Sequence, residues 1–338
     1  MAKNKKCFGE NTGARSGVYS LNAYSAYVKN DAWWQIAGQE EFLEQGTYTW
    51  VCPPGVTKVS ACCVGAGGGG YSSWANPAGG GGGLGWKNNI SVSPGQSYTV
   101  VVGARGQRNS SDGGDSYFID RATVGGGGGG FGGGNGHGQS HGFQTNNNQS
   151  GGGYTGDGGG QGGQASNYQG GGGAGGYTGR GGNTQEHCPN NHGGGAGGYY
   201  YSSTHGTGAG GGVGIYGRRT DYNAQTGKAY GSNTDNKGTQ SLWGPVQQNG
   251  LGGQGGSSRT GIISGEFTGW HGCAGENPWG FSQGYNDIQG GFPGGGAGGP
   301  GTSHGGGNGG GGAVRLMWPG EKANTNRSYP DTNVEDVT

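Results

Sequence analysis

Charge is scarce in this chain. Only 11% of its residues are charged, and 19 basic side chains balance 19 acidic ones. Nucleic acid is bound through a basic stripe that displaces counterions. The only basic groupings are Lys3, Lys5 and Lys6 and the pair Arg218–Arg219, so no nucleic-acid partner is expected. No apolar run is long enough to span a bilayer. The opening "MAKNKK" is basic, but no apolar stretch follows it, so it is not read as a secretion signal and synthesis in a cytosol is expected. The cysteines (Cys7, Cys52, Cys62, Cys63, Cys188, Cys273) lack Cys-x-x-Cys spacing and read as mostly reduced, small hydrophobic residues.

Recognisable catalytic machinery is missing too. Gly-x-Gly-x-x-Gly recurs, but a chain this rich in glycine produces it by chance, and no copy sits between a strand and a helix. "TGKAY" lacks the glycine spacing and the hydroxyl residue of a phosphate-binding loop. His137 and His141 lie four apart in a stretch that cannot be helical. His187, Cys188 and His192 form a second small cluster, better read as loop polarity than as a metal site. Asp112 and Asp115 in "DGGD" offer too few oxygens for calcium. Acidic residues are sparse between 125 and 312 (Asp157, Glu186, Asp221, Asp235, Glu266, Glu276, Asp287), and a glycosidase pair among them is disfavoured, though spacing in space is not visible in sequence. No enzyme, cofactor or metal is expected.

What the chain has is glycine and aromatics. Glycine accounts for 96 of 338 residues, in blocks of three to six, whereas collagen needs glycine at every third position. Disordered chains are charged and poor in aromatics. This one carries 9 Trp and 18 Tyr at zero net charge, which favours an ordered glycine-rich domain.

The periodicity divides the chain. Residues 1–39 read as a polar arm with one short helix over 18–30, capped by Ser20, striped by Leu21, Tyr24 and Val28, and stopped at Asn30. The stretch "EFLEQGTYTWVCPPGVTKVSACCV" reads as strand, turn, strand, Pro-Gly turn, strand. Alternation around Val56–Val64 suits a half-buried sheet, with Cys62 and Cys63 on opposite faces. "NNISVSPGQSYTVVVG" reads as a β-hairpin turning at Pro94-Gly95, and "SYFIDRATV" as a further strand or hairpin. "AVRLMW" at 313–318 is a lone strand whose only available partners lie in 41–124. The fold class expected is all-β: a small β-sandwich-like domain from 40–124 plus 313–318, a glycine-rich insertion at 125–312, and a polar tail at 319–338.

"GGGAGG" recurs at 171–176, 193–198 and 294–299, with relatives at 65–70, 125–130, 208–212 and 305–312. An extended helix with three residues per turn has no internal hydrogen bonds. Packed side by side, such helices can bond to one another and satisfy their backbone groups. The close approach then leaves room for glycine, with an occasional alanine on an outer face. The insertion is therefore expected to be an array of polyglycine II helices reversing through polar, aromatic loops. Tyr71, Trp74 and Trp86, set around "AGGGGYSSWANPAGGGGGLGW", are expected to lie over glycine backbones. A buried aromatic covers roughly 150–250 Å², an upper limit of about 4–6 kcal/mol.

"EFLEQGTYTWVCPPGVTKVSACCVGAGGGG", "SVSPGQSYTVVVGARG" and the closing "GGGNGGGGAVRLMW" resemble the glycine-rich domains of tailed-phage virion proteins. "SGVYSLNAYSAYVKNDAWW" is similar to short segments near the start of phage tail and fibre proteins. The tandem blocks resemble the polyglycine sandwich of the distal tail-fibre adhesins of T-even-like phages. That resemblance implies a rigid glycine slab whose tip loops bind the host surface. The chain departs from those adhesins in having only about 40 residues before its β region and a more prominent strand pattern.

The functional expectation follows from both readings: a virion structural protein, exposed on the particle as a tail-fibre or tip adhesin. The alternative is a non-receptor component, a head decoration protein or a tail or fibre connector. The candidate receptor-binding residues lie in the aromatic linkers: Tyr199, Tyr200, Tyr201, Trp243, Trp270, Trp279, Phe281 and Tyr285. Rings with short polar neighbours suit sugar or protein recognition, although the same rings could instead pack on the glycine slab. Leu21, Tyr24, Val28, Trp33 and Trp34 are the candidate virion-docking residues. The partners implied are other tail, fibre or head proteins and a host surface glycan or outer-membrane protein, with homo-oligomers also open.

Overall fold

A computed structural model describes residues 38–71, 78–130, 151–165, 170–183, 200–202, 206–217, 289–298, 306–318 and 328–330, together with two short strands at 5–6 and 266–267. The expected helix over 18–30 lies outside the described residues. Among those residues the chain is all-β, with no helix.

The strands in chain order are β1 (Lys5–Lys6), β2 (Gly38–Phe42), β3 (Gly46–Val51), β4 (Lys58–Val64), β5 (Leu84–Ser91), β6 (Ser97–Val102) and β7 (Ser116–Phe118). They continue with β8 (Val124–Gly126), β9 (Tyr154–Thr155), β10 (Gly158–Gly160), β11 (Tyr200–Ser202), β12 (Gly206–Thr207), β13 (Glu266–Phe267) and β14 (Ala313–Trp318). Two five-stranded antiparallel sheets carry the fold, in the orders β10-β5-β4-β14-β2 and β3-β6-β7-β8-β9. Two small ladders, β1 with β13 and β11 with β12, lie apart from them.

β14, the isolated apolar run of the sequence, inserts between β4 and β2, with Leu316 opposite Ala61 on one side and Glu40 on the other. Its side chains divide by parity. Val314, Leu316 and Trp318 join Phe42, Val59, Ala61 and Cys63 in the core between the sheets, where Trp50, Val100, Phe118 and Val124 meet them from the second sheet. Trp50 is the hub, with its ring centroid 5.7 Å from Phe118 and 5.8 Å from Trp318. Ala313 and Met317 face the other way, into a second core with Cys62, Val64, Leu84, Ala174, Tyr177, Val213, Ile215, Tyr216, Phe292 and Tyr329. Cys62 and Cys63 thus lie on opposite faces, as strand geometry requires. Both, and Cys52, are buried free thiols.

Two local expectations are corrected. β4 is not half-buried: every residue after Lys58 is buried, because glycine-rich segments cover its second face. Small residues (Ser60, Ala61, Cys62, Cys63) suit a strand covered on both sides. The Pro94-Gly95 turn does reverse the chain, with Gly95 at φ +76°, but it does not close a hairpin. β5 and β6 belong to different sheets, since both edges of β5 are taken by β4 and β10 and both edges of β6 by β3 and β7. The turn is an arch across the sandwich, pinned where the Gly95 N–H donates to the Cys52 carbonyl at 2.9 Å. Residues 116–126 do form a hairpin, β7 with β8. The Asp120 carboxylate accepts from the Ala122 and Thr123 N–H groups in its turn.

Beyond the strand ends the chain runs on as extended glycine segments, and their hydrogen bonds repeat every three residues. Gly65 and Gly68 donate to Gly83 and Gly80; Ala66 and Gly69 donate to Gly114 and Ser111; Gly67 and Gly70 donate to Gly310 and Gly307. Six consecutive N–H groups therefore serve three neighbouring segments in rotation, the geometry of a threefold extended helix. Segment 79–83 repeats the scheme, with Gly79 and Gly82 donating to Ala297 and Gly294, and Gly80 and Gly83 to Gly130 and Gly127. The approach is close enough to exclude side chains: a Cβ built on Gly68 would overlap the Gly130 carbonyl. The lattice draws on segments at 65–70, 78–83, 103–114 and 126–130 as well as on later ones. One lattice alanine, Ala104, is exposed as an outer face would have it, but most are not. Ala66, Ala78, Ala174, Ala209 and Ala297 are all fully buried, and Ala174 fills a place in the second core.

Candidate functional site

The path of the chain through the lattice places the feet of its loops. Segment 65–70 leaves the C-terminal end of β4, and 78–83 returns to the start of β5. Residues 103–106 leave β6, and 113–114 return to β7. Residues 126–130 leave β8, and 151–153 return to β9. Residues 160–165 leave β10, and 170–176 run back beside them, with Gly163 donating to Gly173. Residues 294–298 run outward and 306–312 return to β14, with Gly294 donating to Gly311 and Gly307 to Gly298. The described feet of these excursions thus point to the end of the slab remote from the strands.

The feet of these excursions meet. Gly70 bonds to Gly307 and accepts from Asn109, Gly80 bonds to Gly130, and Ala297 bonds to Gly68. Side chains lock one foot to another. Asn308 Oδ1 accepts from the Arg108 N–H at 2.7 Å, and Asn183 Oδ1 accepts from the Gln164 N–H at 2.9 Å. Within the short 107–111 turn, Ser111 Oγ accepts from the Gln107 N–H at 2.9 Å. Among the described residues this end presents Tyr71, 38% exposed, with exposed Arg105, Gln107, Asn109 and Ser110. Tyr71 is therefore an exposed ring at the slab's end. Trp86 does lie against glycine backbone: a Cβ on Gly158 would overlap its indole, and its Nε1 donates to the Tyr177 carbonyl at 2.8 Å. Trp74 lies outside the described residues.

Of the expected receptor-binding residues, Tyr200 and Tyr201 fall in β11, which pairs with β12 through Tyr200 opposite Thr207. β12 runs directly into lattice segment 208–213, where Gly208 accepts from Gly171. Tyr199, Trp243, Trp270, Trp279, Phe281 and Tyr285 lie outside the described residues, as do Leu21, Tyr24, Val28, Trp33 and Trp34 and the histidines at 137, 141, 187 and 192. Asp115 of "DGGD" is buried in a structural role: Oδ1 accepts from the Gly128 N–H at 2.9 Å and Oδ2 pairs with Arg121 Nε at 2.7 Å. Among the described residues no group of three His, Cys, Asp or Glu side chains is placed to hold a metal.

A second polar assembly lies behind the sheet, in the second core. Arg315, fully buried, donates through Nε and Nη2 to Gln39 Oε1. Its guanidinium lies 4.2 Å from the Tyr216 ring centroid. Tyr177 donates its hydroxyl to the Gly214 carbonyl at 2.7 Å and accepts from the Gly217 N–H at 3.0 Å. Tyr329 donates to the Ile215 carbonyl at 3.0 Å and stacks on Tyr177, centroids 5.8 Å apart. Burial pushes the Cys62 thiol up to about 12 and raises the Tyr177 and Tyr329 phenols, so all three stay protonated at neutral pH. The Cys62, Tyr177, Arg315 and Tyr329 side chains are all buried. Sequence reasoning did not single out Arg315, Tyr329 or the locking residues Asn183 and Asn308. The available signals were an arginine inside an apolar strand and an aromatic inside a polar tail.

Comparison with curated proteins gives no significant match. A family model described as a glycine-rich domain matches residues 43–277, taking in β3 to β13 and most of the lattice segments. The match spans well over half of the chain, and the protein belongs to this glycine-rich domain family.

Proposed function

We propose that the chain is a structural protein of a phage particle, displayed as a tail-fibre or tip adhesin that binds the host cell surface through the loops of its glycine slab. The single observation that carries this reading is the convergence of the loop feet at one end of a hydrogen-bonded lattice. The feet are tied to one another by the Gly70–Gly307, Asn109–Gly70 and Arg108–Asn308 bonds. Such a scaffold lets loop sequence vary while loop position stays fixed, the division of labour that recognition surfaces use. The aromatic-rich composition of the linkers and the resemblance to polyglycine-sandwich adhesins point the same way. A surface glycan or outer-membrane protein is the ligand class that exposed rings with Asn, Gln and Ser would suit.

The test is adsorption. The full chain, fluorescently labelled, is titrated onto a panel of bacterial strains. Saturable binding to a subset of strains is expected, and it is lost when Tyr199, Tyr200, Tyr201, Trp270 and Trp279 are replaced by alanine in a variant with an unchanged circular dichroism spectrum. No binding to strains on which the parent particle adsorbs would favour an architectural role in head, neck or fibre.

A further inference from the structure

The residue that completes the second core comes from the far end of the chain. Tyr329 is separated from β14 by residues 319–328, yet it is 3% exposed. Its surroundings read both its main chain and its side chain. Asn88 of β5 clamps the backbone: its Nδ2 donates to the Tyr329 carbonyl at 2.8 Å, and its Oδ1 accepts from the Tyr329 N–H at 2.9 Å. The ring stacks on Tyr177 at an interplanar angle of 13°. The hydroxyl donates to the Ile215 carbonyl at 3.0 Å, with Arg315 Nη1 at 3.5 Å. Among the described residues the groups that hold it (Asn88, Tyr177, Ile215, Arg315) belong to the sheets and the glycine-rich segments.

We infer that this seat is a recognition site for the Ser328-Tyr329-Pro330 segment, filled here by the chain's own tail and open to the same segment of a second copy. The chemistry selects tyrosine. A phenylalanine would remove the 3.0 Å bond to the Ile215 carbonyl and leave that buried oxygen only the 3.5 Å approach of Arg315 Nη1, a weakened pairing that is costly in a buried site. The two-way amide clamp requires an extended main chain with a free N–H, as tyrosine supplies and proline at that position would not. The link over 319–327 can span at most about 35 Å, and so short a tether gives the attached tail a high effective concentration in its own seat. Exchange between copies becomes competitive where chains are held side by side, as in an assembled particle. Swapping an identical element between protomers is a low-cost route to oligomers.

The test lets the chain fold with its tail attached. A specific protease site is placed within 319–327, the folded protein is cut, and a labelled synthetic peptide spanning 319–338 is added. The cut tail is expected to co-elute with the body. The labelled peptide should displace it saturably, one per chain, and a Tyr329→Ala peptide should bind at least tenfold more weakly. Three results would each overturn the inference: a cut tail that departs, leaving a folded body that takes up no peptide; a body that unfolds on cutting; or an alanine peptide that binds as well as the natural one.

Discussion

Two of the described glycines, Gly68 and Gly95, are there for different reasons, and the reasons are separable by substitution. Gly68 sits in the lattice, where a Cβ would overlap the Gly130 carbonyl. Gly95 sits in the arch at φ +76° with nothing within 4 Å of a built Cβ. Gly68→Ala must move a backbone that is bonded on three sides, and a loss of about 3 kcal/mol or more is expected. Gly95→Ala meets only the left-handed conformational cost, about 1–2 kcal/mol. Urea denaturation of the two variants measures the difference. The buried thiol and phenols set a second residue-scale expectation. Burial pushes Cys62 up to about 12 and raises Tyr177 and Tyr329. Once pH exceeds the ordinary thiol and phenol range, the unfolded chain gives up these protons while the folded chain keeps them. The unfolded state then binds fewer protons, so stability falls as pH rises. The contribution of Cys62 is full below its ordinary value of 9.0 and is lost progressively toward about 12. Urea midpoints are expected to decline from pH 9 upward, and to decline less steeply in a Cys62→Ala variant.

At the scale of elements, the strands were legible where period and chemistry agreed. β3, β4, β6, β7 and β14 all fall in stretches that alternation and β-branched content mark out. β14 was legible even in its need for partners, because a lone apolar run of six residues has no local one. The sheet assignment of β5 and β6 was not legible. A Pro-Gly turn between two alternating runs looks the same whether it closes a hairpin or arches across a sandwich, and only the competition of β4 and β10 for the edges of β5 decides. The burial of both faces of β4 was hidden for a similar reason: the cover comes from glycine, which carries no hydrophobic signal. The threefold repeat of the lattice has its own consequence. One glycine inserted after Gly81 rotates every residue on its far side by a third of a turn and misaligns the donors at Gly79 and Gly80. Three glycines inserted there restore the phase. The single insertion is expected to cost more than the triple one, by about 1–3 kcal/mol for each N–H left unpaired. Thermal melts of the two insertions, compared with the parent, read this directly.

At the scale of the molecule, the protein solves an unusual problem: how to order a chain in which 96 of 338 residues bring no side chain to bury. A two-sheet core around Trp50 and Trp318 anchors one end of the glycine segments, and the second core around Tyr177, Arg315 and Tyr329 clasps the face of the sheet beside them. Between these anchors the lattice is held chiefly by backbone hydrogen bonds, with side-chain locks at Asn183, Asn308 and Asp115. The aromatic linkers were legible as composition, in Tyr and Trp between glycine blocks, but the meeting of the described loop feet at one end of the lattice was not. It depends on which segments run outward and which return, and all glycine segments look alike in sequence. The measurement that tests this account most directly is amide hydrogen exchange of the intact chain, resolved over the segments 65–70, 79–83 and 294–297. Each N–H in 65–70 has a lattice acceptor, so protection comparable to that of the β4 and β14 amides is expected there. Exchange of these glycines at random-coil rates, with β4 and β14 still protected, would contradict the lattice, and with it the rigid platform on which the proposed adhesin depends.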